Sequence, residues 1–207
     1  MESLLLSSLI PLQEKGKQTD VEHSITLNTR EEAQDAFKRA WKRMLNINIW
    51  HKLSGFASAH FVLKDKEVND GNRLAKVGDY LRIDIPGPGP ASGDGYDWVR
   101  VDDIKEVLNN DGENESVGMR VRSCKNPNKE SNETAHFFTS DATSTFIINR
   151  NGNTVIAAYH GRNEVLNTDT KKLTDKIRNT VVGTSGLMGV SELQWSRLMK
   201  SFLEREV

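Results

Sequence analysis

Two apolar runs around Asn151 and Gly152 form the clearest local pattern in the chain. Residues 143–149 and 154–160 are rich in β-formers, and Asn-Gly supplies the positive φ angles that a two-residue type I′ turn requires. The pattern therefore predicts a β-hairpin, apolar on both faces near its turn. The predicted cross-strand pairs are Ile148 with Val155, Phe146 with Ala157 and Ser144 with Tyr159 on one side, and Ile147 with Ile156 and Thr145 with Ala158 on the other.

Helical spacing begins after Thr29. Thr29 and Glu32 form a capping box, in which a hydroxyl and a carboxylate satisfy free backbone N–H groups at a helix start. A helix is predicted there because the following apolar residues share one face: Ala33, Ala36, Phe37, Ala40, Trp41, Met44 and Leu45.

The C-terminal part of the chain also shows helical spacing. Residues 167–169 are expected to cap a helix carrying Leu173, Ile177 and Val181, which Gly183 and Gly186 interrupt. A final helix is predicted from about Leu187, with Met188, Trp195, Leu198, Met199, Phe202 and Leu203 on its apolar side.

A short strand is predicted before the first helix, at residues 23–27, and from Phe56 the apolar period changes to two. Further strands are predicted at residues 56–64, 79–85, 96–104, 116–122 and 134–139. Such alternation is typical of an antiparallel sheet with one face on the core and one in water. The predicted order is a strand, a helix, about six antiparallel strands and a long C-terminal helix, which is an α+β fold.

This order resembles that of the START and birch-pollen-allergen superfamily, which includes polyketide cyclase/dehydrase-like and lipid-transfer proteins. Three stretches are similar to it: residues 40–50 with their tryptophans, Lys76-Val77-Gly78-Asp79 before a strand, and the Leu-rich residues 193–204. The resemblance implies a helix-grip fold, in which a curved antiparallel sheet of about six or seven strands wraps a long C-terminal helix. Residues 1–22 would then be an N-terminal extension and residues 23–207 a single domain.

The resemblance also implies a cavity between the apolar sheet face and the last helix. The expected function is the binding of a small hydrophobic or lipid-like ligand, with no cofactor and no metal. The alternative is that the same residues fill a solid core. The expected lining residues are Trp50, Leu81, Ile83, Val99, Met119, Phe137, Phe146, Tyr159, Trp195 and Met199.

Histidines are the natural acid/base candidates for an enzyme of the cyclase, dehydrase or hydrolase kind. His60, His136 and His160 all fall on predicted strands, and a neighbouring carboxylate could make one of them a general base. The carboxylates considered are Asp84, Asp102 and Glu164. No spacing joins these residues into a motif, so no catalytic residue is assigned.

Composition limits the remaining functions. Lys and Arg number 28 against 29 Asp and Glu, so the net charge of −1 disfavours bulk nucleic-acid binding. Arginines on the outer strand positions are expected to form a solvated ladder with aspartates, the alternative being an anionic partner. Cys124 is the only cysteine, which excludes an intrachain disulfide and fits a reducing, cytoplasmic location.

The apolar run in residues 1–12 needs its own explanation. It is far shorter than the ~20 residues of a membrane helix, and Glu2 stands where a secretory signal would carry a basic residue. We expect it to dock on the domain as a helix or strand. The alternative is a partner-binding segment, for example in a homodimer.

Overall fold

The computed structural model describes residues 6–55, 59–85, 89–108, 113–167 and 183–205. In these ranges the strands are β1 (Lys17–Thr26), β2 (His60–Lys64), β3 (Tyr80–Asp84), β4 (Asp97–Leu108), β5 (Asn114–Ser123), β6 (Thr143–Asn151) and β7 (Thr154–Glu164). The α-helices are α1 (Arg30–Leu45), α2 (Trp50–Ser54) and α3 (Gly183–Leu203), and short 3-10 turns lie at Ser7–Leu9, Ile47–Ile49 and Ala91–Gly93.

All seven strands belong to one antiparallel, curved sheet with the order β1-β7-β6-β5-β4-β3-β2. The first and last strands are neighbours, because β1 pairs with β7 along most of its length. Helix α3 packs on β1 and β7 and also contacts α1 and α2. The predicted helix-grip fold is thereby confirmed. None of the described helices is long and apolar enough to cross a bilayer.

The core lies between the inner sheet face and the helices. Alternate residues of each strand point inward, as the period of two predicts, and the capped stripe of α1 faces them. The Thr29 cap is present, since its hydroxyl accepts a hydrogen bond from the Glu32 N–H at 3.2 Å. The buried inner-face residues are Phe61, Leu63, Leu81, Ile83, Val99, Val101, Val117, Met119, Val121, Phe146, Ile148, Val155, Ala157 and Tyr159.

The β6–β7 hairpin is present, but its predicted register is wrong by two residues. Asn151 pairs with Thr154, so the turn is centred on Gly152 and Asn153. Gly152 has a φ of +56° whereas Asn153 does not have a positive φ, which is the sign pattern of a type II′ turn. A shift of two keeps every side chain on its predicted face. Phe146 consequently lies opposite Tyr159, and Ile148 opposite Ala157.

Other boundaries also differ from the sequence prediction, and β4 runs to Leu108, four residues beyond its predicted end. Residues 134–139 form no strand and make only isolated bridges, Thr134 to Lys125 and Phe138 to Leu166. Strand β1 starts at Lys17, inside the predicted extension. Helix α3 starts at Gly183, before the predicted start at about Leu187. The predicted break at Gly183 and Gly186 is absent, since glycine lowers helix propensity without preventing a helix. The predicted helix with Leu173, Ile177 and Val181 lies outside the described residues.

The N-terminal segment (residues 6–16) docks on the outer face of the sheet. Leu6 and Leu9 are buried there against Gly118, where a Cβ would overlap the Leu9 side chain. The Leu9 carbonyl accepts hydrogen bonds from Arg120 at 3.4 Å and from the Thr145 hydroxyl at 3.5 Å. Leu6 and Leu9, two apolar side chains of the proposed dimer contact, are therefore already used within the chain.

Candidate functional site

An aromatic cluster fills the space between the sheet and α3. Trp50 lies in it, with its ring centroid 4.9 Å from that of Phe146, 5.3 Å from Phe61 and 6.0 Å from Phe202. The Trp50 indole N–H donates to two backbone carbonyls at the end of α1, both at 3.1 Å. Trp50 is thereby held in one orientation.

The structure brings most of the predicted lining residues together in this interior. Trp50, Leu81, Ile83, Val99, Met119, Phe146, Tyr159 and Met199 are buried in one core, and Trp195 packs on its edge. Phe137 is the exception. It lies in the loop after β5, half-buried against His136 and Phe138, because residues 134–139 do not join the sheet.

A small pocket lies next to the aromatic cluster. Its volume is about 20 Å³, which holds about one water molecule. We call it the polar pocket. It is lined by Val99, Val121, Ser123, His136, Phe138, Ala142, Thr143, Ser144 and Glu164.

A backbone irregularity turns Glu164 toward this pocket. The β1–β7 pairing shifts register between Lys17 and Thr19, and Asn163 adopts a left-handed conformation with a φ of +57°. Bulges of this kind re-aim a side chain. Gly161 leaves the room that the carboxylate occupies, since a Cβ at that position would overlap the Glu164 Oε1 atom.

Glu164 belongs to a chain of hydrogen bonds. The Thr19 hydroxyl donates to its Oε2 at 2.7 Å, and the Tyr159 hydroxyl donates to its Oε1 at 3.3 Å. Ser144 Oγ lies 3.1 Å from the Tyr159 hydroxyl. Burial raises the pKa of Glu164 above its ordinary value and also raises the pKa of Tyr159. Both groups are shifted toward their neutral forms.

His136 lines the pocket as a neutral imidazole. Burial lowers its pKa to about 3, and its Nδ1 accepts a hydrogen bond from the Phe138 N–H at 3.0 Å. The ring proton is therefore assigned to Nε2. The carboxylate of Asp97 lies 3.9 Å from Nδ1, and burial raises the pKa of Asp97 to about 7. His136 is thus not arranged as a general base.

The other two histidines lie outside the pocket. His160 points from the outer face of β7 and pairs with Asp20 at 2.6 Å, where Arg162 also binds Asp20 at 2.7 Å. His60 is exposed on β2, with its ring centroid 4.5 Å from that of His51. The predicted histidine–carboxylate pair inside a cavity is therefore not formed by either residue.

Thr143 and Ser123 were missed by the sequence reasoning. The Thr143 hydroxyl is buried and has no hydrogen-bond partner within the described ranges, but because side chains alternate along a strand it lies on the same outer face as Thr145, opposite to Ser144. Isolated polar residues at strand ends have no sequence signal of their own, because the loop that encloses them is placed by tertiary contacts. An unpaired buried hydroxyl is costly unless water or a ligand binds it.

On the outer sheet face, the expected charge ladder is partly present. Asp102 accepts a hydrogen bond from Arg122 at 2.7 Å and lies 3.7 Å from Arg120. Arg82 instead stacks on the Tyr96 ring at 4.5 Å. Among the described residues, no group of three or more His, Cys, Asp or Glu side chains is placed to hold a metal ion.

Comparisons with known proteins find similarity in architecture. No protein-family model and no curated protein sequence matches the chain. A major latex-like protein from Panax ginseng is 9% identical, covers 91% of this chain and 100% of its own, and has a TM-score of 0.39. A conserved protein from Geobacillus kaustophilus is 12% identical over 89% of this chain and 93% of its own, with a TM-score of 0.39. Norcoclaurine synthase from Thalictrum flavum is 12% identical over 91% of this chain and 88% of its own, with a TM-score of 0.32.

The strand order and the position of α3 define the class of the protein. It is a helix-grip α+β protein, as the resemblance to the START and birch-pollen-allergen superfamily implied. Within that class, the described part of its interior holds an aromatic cluster with a small polar pocket beside it.

Proposed function

We propose that the chain binds a small hydrophobic or lipid-like molecule between α3 and the inner sheet face, and that Trp195 moves to admit it. The observation that carries this proposal is the uneven anchoring of α3. A cytoplasmic location belongs to the same proposal, since a chain with one cysteine gains no disulfide from an oxidising compartment.

The C-terminal end of α3 is firmly held. Arg43 of α1 donates to the carbonyls of Ser201, Phe202 and Glu204 at 3.0, 3.3 and 2.6 Å. The Ser201 hydroxyl donates to the Leu53 carbonyl at 2.8 Å. The side chains buried at this end are Leu198, Met199, Phe202 and Leu203.

The preceding turns of α3 are held less tightly. Leu193 is 53% exposed and Trp195 is only half-buried. Among the described side chains, two polar contacts join this part to β1, Ser196 to His23 at 2.8 Å and Glu192 to Lys17 at 3.3 Å. Polar contacts of this kind contribute little to stability, so the packing of Trp195 is the main interaction that displacement of this part of α3 would break among the described residues.

Trp195 covers the inner sheet face at this place. Its ring stacks on Tyr159 with a centroid distance of 4.7 Å and lies 5.4 Å from Phe146 and 6.1 Å from Phe61. Outward movement of Trp195 would free an apolar space floored by these three rings. The Tyr159 hydroxyl at the edge of that space hydrogen-bonds with Ser144 and Glu164, which line the polar pocket.

The test is a cross-link between β1 and α3. His23→Cys with Ser196→Cys is joined by a short bismaleimide, and binding is followed by the fluorescence of N-phenyl-1-naphthylamine, an uncharged apolar probe. We expect the unmodified protein and the untreated double variant to bind the probe with a rise in melting temperature, and the cross-linked protein to bind it at least ten times more slowly.

The chain offers its own control for this chemistry. Cys124 is mostly buried and burial raises its pKa to about 12, so it should not react with the maleimide. Treatment of the natural chain should therefore change nothing. Absence of probe binding by the natural chain would reject the proposed function, and equal rates with and without the cross-link would reject the role of α3 movement.

A further inference from the structure

We infer that residues 12–16, here called the clasp, hold the Glu164 carboxyl at the polar pocket through Asn163 and thereby slow the entry of a ligand beneath α3. The clasp is the last part of the N-terminal segment, directly before β1. Its effect on ligand entry rests on the proposed function, whereas its effect on the position of Glu164 does not. The inference adds an internal regulator to the proposed site and names the residues through which it acts.

Asn163 is bound to the clasp by four hydrogen bonds. Its backbone N–H donates to the side-chain carbonyl of Gln13 at 2.9 Å. Its side-chain carbonyl accepts from the Glu14 and Lys15 N–H groups at 2.8 and 3.2 Å, and its side-chain amide donates to the Leu12 carbonyl at 3.1 Å. These contacts favour the left-handed conformation of Asn163, which few residues other than glycine adopt without such support.

The left-handed residue changes the face on which the next side chain lies. Side chains alternate along a strand, so Glu164 would be expected on the outer face together with His160. Strand β7 instead has one extra residue between its pairs with Thr19 and Lys17. The Glu164 carboxyl consequently lies on the inner side, within hydrogen-bond distance of the Tyr159 hydroxyl. The conformation that the clasp favours is therefore the one that places a carboxyl at the pocket.

The backbone of the clasp also lies directly against Glu164. Gly16 has a φ of +68°, and a Cβ at this position would come within 2.7 Å of the Glu164 backbone carbonyl. Glycine permits this close approach because it has no side chain. Replacing Gly16 with alanine should therefore push the clasp away from Glu164 without changing any side chain that lines the pocket.

Glu164 in turn holds Tyr159, on which Trp195 stacks. The Tyr159 hydroxyl donates to Glu164 Oε1 at 3.3 Å, and the Tyr159 and Trp195 ring centroids are 4.7 Å apart. If Glu164 turned outward, the Tyr159 hydroxyl would lose this acceptor and the pocket would lose its carboxyl group. Trp195 would then stack on a ring that is held less firmly, so an apolar ligand should enter faster.

The titration of Glu164 reports its position without any ligand. Burial raises the pKa of Glu164 above its ordinary value of 4.5 and outweighs the nearby cations Lys17 and Arg162, which act in the opposite direction. Burial also shifts the pKa values of Tyr159 and His136, two further titratable groups at the pocket, toward their neutral forms. A Glu164 carboxyl that turns into water should titrate near its ordinary pKa.

The first test follows the Glu164 carboxyl by NMR in protein made with isotope-labelled glutamate, and Glu164→Gln assigns the signal. We expect the pKa of this carboxyl to lie above 4.5 in the natural chain and to fall toward 4.5 in Gly16→Ala. If Gly16→Ala fails to fold, Gln13→Ala, which removes the acceptor of the Asn163 N–H, serves as the second clasp variant.

Gly152→Ala is the matched control for the first test. Gly152 also has a positive φ, +56°, but a Cβ there would meet no atom of the described residues within 4 Å. The raised pKa of Glu164 should therefore be kept in this variant. An unchanged pKa in the clasp variants, or an equal fall in Gly152→Ala, would overturn the inference.

The second test measures the rate at which N-phenyl-1-naphthylamine binds to the natural chain, Gly16→Ala, Glu164→Ala and the combined variant. We expect each single substitution to speed binding by about 3- to 10-fold, the effect of one lost hydrogen bond. The combined variant should be no faster than Glu164→Ala, because the clasp acts through that carboxyl. Rate increases that multiply in the combined variant would overturn this route. Absence of probe binding by the natural chain would reject the proposed function, and the NMR titration would then decide on the position of Glu164 alone.

Discussion

Asp97 and His136 are two buried titratable residues that face each other without forming an ion pair. Their closest atoms, Asp97 Oδ1 and His136 Nδ1, lie 3.9 Å apart. Burial raises the pKa of Asp97 to about 7 and lowers that of His136 to about 3, so each shift favours the neutral form. The Phe137 N–H donates to Asp97 Oδ1 at 2.7 Å and fixes the loop against β4.

Replacing Asp97 with asparagine should stabilise the protein at high pH. Since the folded pKa of about 7 exceeds the ordinary value of 3.8, the folded state binds the proton more tightly, and stability falls as the pH rises from about 4 to 7. Over this pH range the free energy of unfolding falls by about 4 kcal/mol in total. Asparagine keeps the Oδ1 acceptor for Phe137 but does not titrate. Urea unfolding of both proteins at pH 4.5, 6 and 8 measures this difference.

The variant should exceed the free energy of unfolding of the natural chain only slightly at pH 4.5 and increasingly up to pH 7, with little further change above. The measurements at pH 4.5 serve as the internal control for packing effects of the substitution. A difference that is the same at all three pH values would contradict the assignment of a raised Asp97 pKa.

At the scale of elements, α1 holds the end of α3 through one side chain. Arg43 satisfies carbonyls that the last turn of a helix leaves without intrahelical partners. We expect Arg43→Met to lower the free energy of unfolding by about 1–3 kcal/mol, because charged hydrogen bonds are lost while the apolar stem is kept. Amide exchange in the last turn of α3 should also accelerate.

Arg39→Met is the matched control for this prediction. Arg39 lies one turn earlier on α1, beside a surface cleft with Glu32, Asp35 and Arg205, and makes no hydrogen bond to α3 in the described part of the chain. Its replacement should leave amide exchange in α3 unchanged. Equal effects of the two substitutions would show that Arg43 does not act as a C-terminal anchor.

The hairpin illustrates how far local patterns predict an element. The period of two and the Asn-Gly pair located β6 and β7 and assigned the faces of Phe146 and Tyr159 correctly. The register was not predicted, because a turn on Asn151-Gly152 and a turn on Gly152-Asn153 bury the same side chains. Pairing with β1 and β5 adds contacts that distinguish the two, and these come from segments distant in sequence.

At the scale of the whole molecule, the N-terminal segment completes the outer face of the sheet. Besides Leu6 and Leu9, it is held by Asn163, which accepts hydrogen bonds from the Glu14 and Lys15 N–H groups at 2.8 and 3.2 Å. The Asn163 side-chain amide donates to the Leu12 carbonyl at 3.1 Å. Asn163, the residue with the left-handed conformation next to Glu164, therefore also holds the N-terminal segment against the sheet.

Deletion of residues 1–12 should destabilise the protein and cause self-association. Burial of Leu6 and Leu9 is worth about 3–6 kcal/mol together, and its loss uncovers the outer face around Gly118 and Ile147. Urea unfolding and size-exclusion chromatography with light scattering measure both effects. We expect the full chain to be monomeric. A full-length dimer that becomes monomeric on deletion would instead support the homodimer contact proposed from the sequence.

Taken by itself, the sequence determined the elements and the class of fold. Periods of two and of about 3.6, the Thr29 cap and the turn signal at Gly152 act over a few residues, so they are visible without knowledge of distant segments. They located the helix grip and the inner positions such as Trp50, Phe146 and Met199, which meet in the core.

Only the tertiary structure decided whether those positions enclose a cavity and where the polar pocket lies. Thr19 and Glu164, which hydrogen-bond to each other, are 145 residues apart, and His136 reaches the pocket from a loop that the alternation had assigned to a strand. The volume left between packed side chains depends on all neighbours at once, whereas hydrophobic periodicity reports only which side of an element faces inward.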